Sequence, residues 1–158
     1  MLSFLIVTER TTVTTRYDQP RAIARAGNEV IRRLAEAGIS IAGTRALRVR
    51  GRRTGKLRGV VVNVLTIDGR RYLVSPRGNT EWVRNARAAG VVHLGPSWRS
   101  RDYTLTEVPD EAKPALLDEY LRRWYWEVKG HVGGLTPQST EGEMLRAAPS
   151  IPVFELRA

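Results

Sequence analysis

There is no cysteine among the 158 residues, so no disulfide frames the fold and no thiolate can hold a metal. Histidine is nearly as scarce: His93 and His131 are the only two, far apart and without metal-ligand spacing, so no metal site is expected. Long apolar runs are missing as well. The apolar start MLSFLIV, residues 1–7, is too short to span a bilayer and has neither the basic leader nor the small-residue cleavage site of a secretion signal. The chain is therefore expected in a reducing cytoplasm. No repeat, low-complexity tract or Pro/Gly-rich linker interrupts it, and one domain over 1–158 is expected, with 1–19 as a variable lead-in. A domain of this length buries roughly two-thirds of its unfolded surface.

Lysine is the last scarcity. Lys56, Lys113 and Lys129 are the only three of 26 basic residues, which stand against 16 acidic ones for a net charge of +10. Such a field attracts anions: nucleic acid, an anionic membrane face or a phosphorylated small molecule. The dominance of arginine adds chemistry, because a guanidinium grips phosphate or carboxylate through two parallel hydrogen bonds. A coding bias toward arginine would give the same composition without a ligand.

What is present alternates between two periods. Over 20–38 an amphipathic helix is predicted: Pro20 suits its first turn, Ile23, Val30, Ile31 and Leu34 share a face, and Gly38 suits its exit. Its other side, with Arg21, Arg25, Arg32 and Arg33, could touch a membrane surface. Strands are predicted over 46–50, 60–67, 71–75, 91–94, 103–108 and 151–156. Asp68-Gly69 signals a type I′ hairpin, in which both central residues need positive φ. A short helix with Trp82, Ala86 and Ala89 follows a cap at Asn79 or Thr80 and ends at Gly90. A second amphipathic helix is predicted over 115–128. Six short strands lying too close together for helical crossovers predict a small barrel or curled sheet rather than a βαβ nucleotide fold.

The stretch LRVRGRRTGKLRG, residues 47–59, packs six cations and three glycines into thirteen residues. It is not a P-loop: three residues rather than four separate Gly51 from Gly55, and Leu57 rather than Ser or Thr follows Lys56. Thr54-Gly55 is ordinary turn chemistry and could simply be solvated. Yet the cations at 52, 53, 56 and 58 repel one another; at an effective dielectric near 20, two charges about 4 Å apart interact by roughly 4 kcal/mol before screening. A bound polyanion turns that repulsion into attraction. No aromatic residue interleaves with the turn, which argues against a nucleic-acid surface.

A second informative stretch, YLVSPRGNTEWVRN over 72–85, runs from a buried strand through Ser75, Pro76, Arg77 and Gly78 into a helix start. Free N–H groups at such a start favour an anion or a carbonyl oxygen, and Gly78 permits close approach of a flat ring. Trp82 and Asn85 share one helical face and offer an apolar wall beside an amide; Trp82 could equally be a core plug.

GRRTGKLRG, IDGRRYLVSPRG, EWVRNARAAG and the closing IPVFEL together resemble the deazaflavin-dependent nitroreductase family, a branch of the flavin/deazaflavin oxidoreductases. The resemblance covers about 47–95 and, less closely, 151–156. It implies an α+β fold with a mainly β core: a six-stranded split β-barrel of the FMN-binding type, with an N-terminal helix and a helix of the C-terminal half packed on it. It implies coenzyme F420 as cofactor, with FMN as second choice, and hydride transfer to a quinone, nitro compound or enone. By position, Arg52, Arg53, Thr54, Gly55, Lys56 and Arg58 would hold the cofactor's phosphate and acidic tail. Ser75, Pro76, Arg77 and Gly78 would face its ring, and Trp82 and Asn85 occupy the family's Trp-Tyr-x-Asn-Leu positions. Val83 stands in place of that tyrosine, and the loop before Trp82 is shorter than the family's. No triad or carboxylate pair is visible or needed. Tyr120, Trp124 and Tyr125 are candidates for the acceptor wall or a proton donor, although helical spacing also suits them to the core. Two other readings stand beside the reductase: a non-catalytic carrier of a flat anionic ligand such as a flavin or tetrapyrrole, and a basic nucleic-acid or membrane-surface protein. A monomer or homodimer is expected, with no nucleic-acid partner.

Overall fold

A computed structural model describes residues 44–158. The helix predicted over 20–38 and the lead-in lie outside the described residues. Six strands, β1 (Thr44–Arg50), β2 (Leu57–Ile67), β3 (Arg70–Val74), β4 (Val91–Leu94), β5 (Arg101–Glu107) and β6 (Val153–Arg157), close into an antiparallel barrel in the order β1-β2-β3-β6-β5-β4. Closure pairs every strand on both sides and leaves no open edge.

The turns follow from their residues. Asp68 (φ 50°) and Gly69 (φ 75°) join β2 to β3 with both central φ values positive, as the Asp-Gly pair demands. Helix α1 (Glu81–Ala89) ends at Gly90, whose φ of 71° lets its N–H reach Ala86 O, so β4 can start on the next residue. Strand β6 begins at Val153, two residues later than the predicted 151. Pro152, which has no N–H to give, offers its carbonyl to Ser75 N at 2.9 Å.

Alternation along the strands divides the buried side chains into two clusters. Leu47 and Val49, Val62, Leu73, Val92 and Leu94, Tyr103 and Leu156 fill the barrel. Leu65, Tyr72, Val74 and Val153 point the other way and pack against α2 (Lys113–Val128) through Leu117, Tyr120, Leu121, Trp124 and Val128. A second covering helix, α3 (Glu141–Ala147), was not expected. It is built by a capping box in which Thr140 Oγ1 accepts from Glu143 N and Glu143 Oε2 accepts from Thr140 N, and it drives Met144 into the same outer core.

Candidate functional site

The basic turn leaves the barrel after the last β1–β2 pair, Arg50 with Leu57. Its path is fixed by its own backbone: Gly51 N donates to Lys56 O at 2.8 Å, and Gly55 N, at a residue with φ 71°, donates to Gly51 O at 2.9 Å. Thr54 Oγ1 accepts from Lys56 N at 3.3 Å. A Cβ on Gly51 would lie 3.0 Å from that hydroxyl and 3.2 Å from Lys56 O, so any larger residue would have to push the turn apart by a few tenths of an ångström.

Four cations on this turn divide into two kinds. Arg52 turns inward onto α1, where the buried Asn85 Oδ1 accepts from both Arg52 N (3.1 Å) and Arg52 Nη1 (2.8 Å). Glu81 Oε2 accepts from the same Nη1 at 2.8 Å and its other oxygen pairs with Arg84 at 2.7 Å. These contacts hold the Glu81 carboxyl below its ordinary value, chiefly through the Arg52 hydrogen bond and then through the charges of Arg52, Arg84 and Arg53. Arg53, Lys56 and Arg58 are exposed, and among the described residues no hydrogen bond or ion pair engages their side chains. A rigid turn thus presents three cations outward while a fourth ties it to the barrel.

The second predicted stretch forms the connection from β3 to α1. Ser75 is buried; its hydroxyl donates to Gly78 O at 2.6 Å, and Gly78 N, at φ 89°, returns a bond to Ser75 O at 3.1 Å. Arg77 meets His131 Nε2 at 3.3 Å, which brings the loop beyond α2 against this one. Thr80 takes the N-cap position, yet its side chain makes no capping bond and its buried Oγ1 has no partner among the described residues. Trp82 is half-buried, packs on the barrel core and lies 6.0 Å from the Phe154 ring. Pro76 is half-buried in the same loop.

The aromatic residues of α2 sit on the outer face of the barrel beside that connection. Tyr120 and Trp124 are buried with ring centroids 5.1 Å apart, and Tyr125 is half-buried against them. Asn63 of β2 shares the site: its Nδ2 donates to Glu127 at 3.0 Å, while its buried Oδ1 has no partner among the described residues. The register Val64–Leu73 sets Asn63 beside Val74, one residue before Ser75. Burial pushes the Tyr120 hydroxyl well above the ordinary tyrosine range, the Glu127 charge adds to this, and the Asn63 contact opposes it. Tyr120 therefore keeps its proton.

Helix α1 thus joins the two predicted stretches, since it continues the loop 75–80 and anchors the turn 51–56 through Asn85. Glu81, Asn63, Glu127 and His131 were not anticipated. Asn63 had a sequence signal, an amide breaking the apolar run VVVNVL. Glu81 had none, because its partner Arg52 stands 29 positions away.

The F420H(2)-dependent quinone reductase family matches residues 22–129, more than half of the chain and all of this constellation but His131. The chain belongs to that family. It is accordingly an oxidoreductase that works with coenzyme F420, and its deazaflavin resemblance holds. No curated protein matches the chain. Among solved structures it is similar to one described as a domain-swapped dimer, with 17% identity, a TM-score of 0.51, and coverage of 85% of this chain and 96% of that one. It is also similar to an F420-H2-dependent reductase, with 19% identity, a TM-score of 0.49, and 73% and 94% coverage. A third is a pyridoxamine 5′-phosphate oxidase-related, FMN-binding protein from Nostoc punctiforme, with 11% identity, a TM-score of 0.45, and 87% and 81% coverage. Such identities bear on the fold alone, and the barrel order described above is the split-barrel architecture expected of this F420 reductase. Among the described residues no helix is long and apolar enough to cross a membrane.

The residues present fit the cofactor. An acidic handle needs donors that are not already spent, and Arg53, Lys56 and Arg58 supply them on a turn that does not have to be ordered on binding. A flat heteroaromatic ring needs a buried edge with unspent polar atoms, and Asn63 Oδ1 and Thr80 Oγ1 are such atoms on either flank of the Ser75 loop.

Proposed function

We propose that this F420-dependent oxidoreductase passes a hydride to a quinone, with nitro compounds and enones as further acceptors of the same kind. The observation that carries the reading is the division of labour on the basic turn: Arg52 is consumed by Asn85 and Glu81, while Arg53, Lys56 and Arg58 are left for an anionic handle. In this reading Thr54 and Gly55 shape the turn and Arg53, Lys56 and Arg58 bind the phosphate and carboxylates. Asn85 acts through Arg52 rather than on the ligand. Ser75, Pro76, Arg77 and Gly78 border the ring, with Trp82 behind them.

When bound, reduced F420 supplies the hydride, and the protein's part is placement and exclusion of water. Reduction of a quinone to its hydroquinone takes one proton besides the hydride. Solvent or a tyrosine of α2, Tyr120 or Tyr125, supplies the proton, and with Trp124 these rings form the wall against which the acceptor lies. The protein works as a monomer or homodimer in the cytoplasm or at a membrane surface, where lipid-soluble quinones reside.

Mixing the purified protein with reduced F420 and a soluble quinone tests this directly. The cofactor's oxidised absorbance should appear at a rate proportional to protein. Binding of F420 without turnover of any quinone, nitroaromatic or enone would instead support the carrier reading.

A further inference from the structure

Arg52 is positioned twice over. Asn85 Oδ1 fixes both its backbone N–H and its Nη1, and Glu81 Oε2 then takes the same Nη1 at 2.8 Å, adding no direction that Asn85 does not already supply. The other Glu81 oxygen occupies Arg84 at 2.7 Å. The Glu81 side chain is 60% exposed, so no neighbour locks it in place. Among the described residues it is the carboxylate paired with the basic turn, and the surrounding arginines keep it ionised at neutral pH.

A carboxylate so placed does to two guanidinium groups what the ligand's own phosphate or carboxylates would do. We infer that Glu81 is a built-in competitor of the cofactor's acidic handle: its charge, paired with Arg52 and Arg84 and facing Arg53, offsets the field of the basic turn that an anionic tail would meet, and so sets how tightly charged ligands are held. This rests on the cofactor reading of the basic turn. The consequence has a definite sign. Removing the charge should strengthen the binding of charged tails, the opposite of what loss of a positioning residue would do. Because exposed ion pairs are individually weak, the gain is about two- to fivefold.

Glu81→Gln keeps size and hydrogen-bonding capacity while deleting the charge. Fluorescence titrations of wild type and variant at low salt would use oxidised F420, FMN, and riboflavin, which has the ring of FMN without its phosphate. The expected result is about two- to fivefold tighter F420 and FMN in the variant, no change for riboflavin, and erosion of the gain at high salt. Unchanged or weaker F420 binding, or an equal gain for riboflavin, overturns the inference and leaves the cofactor reading standing. If wild type and variant alike bind neither F420 nor FMN, the cofactor reading falls and this inference with it.

Discussion

Arg53 and Asn85 lie at two ends of one chain of contacts, and their removal should look different. Arg53 is exposed, and among the described residues its side chain makes no hydrogen bond or ion pair that its loss would break. Arg53→Ala should weaken F420 binding about tenfold, because a hydrogen bond to a charged group contributes about 1.5–3 kcal/mol, and should leave the melting temperature unmoved. Asn85→Ala strips a buried acceptor from Arg52 N and Nη1, so it should both weaken binding and lower stability by about 1–2 kcal/mol. Fluorescence quenching and a thermal melt on the same samples separate the two effects. Tyr120 offers a pH test with a fixed sign. Its hydroxyl titrates higher in the fold than the ordinary value of 10.0, so its contribution is whole below pH 10. Above that, the unfolded chain loses the proton first and stability falls as pH rises further. Urea midpoints between pH 8 and 11 should decline for wild type and decline less for Tyr120→Phe.

At the scale of elements, the helices do the positioning and the barrel carries them. Helix α1 is nine residues long, yet it ends the loop 75–80, anchors the basic turn and packs Trp82 and Ala86 on the barrel core. Its C-cap glycine lets β4 pair at once, which fixes the helix against β1. Helix α2 is held at its start by Lys113, nearly fully buried, whose Nζ donates to Asp110 at 2.7 Å and to Ala148 O at 2.8 Å. Helix α3 owes its short length to its cap. Thr140→Ala removes the acceptor of Glu143 N and should destabilise the protein by about 1 kcal/mol, a drop of about 2–4 °C in Tm. Because α3 packs on α2 rather than on the basic turn, F420 affinity should be unchanged in that variant.

For the whole molecule, a charge of +10 makes association with anions sensitive to salt. F420 binding should weaken progressively as sodium chloride is raised, and riboflavin binding should not, since only the former has a charged tail to screen. A generic polyanion such as duplex DNA should be displaced by free F420, because Arg53, Lys56 and Arg58 sit together on one short turn that matches a compact acidic tail. Titration of F420 into a labelled-DNA complex, read by anisotropy, checks this; DNA that resists displacement would favour the polyanion-surface reading.

The short-range features are legible in the sequence itself. Aspartate at 68 and glycine at 69 left one turn type open, strand patterning set all six strands to within about three residues, and the clustered arginines marked the turn between β1 and β2. These follow from local sterics and charge, which depend on neighbours in the chain. The third helix is also local in origin, since Thr140 and Glu143 spell its cap, but at seven residues it has no apolar period long enough to mark it in the sequence. Closure of the barrel, the pairing of β3 with β6, and the meeting of Arg52 with Glu81 and Asn85 are of another kind. They join residues tens of positions apart, where no periodicity reaches. Only the packed molecule decides which of several like charges is spent on the fold and which is left for a ligand, because that depends on distances that exist only once the chain has closed on itself.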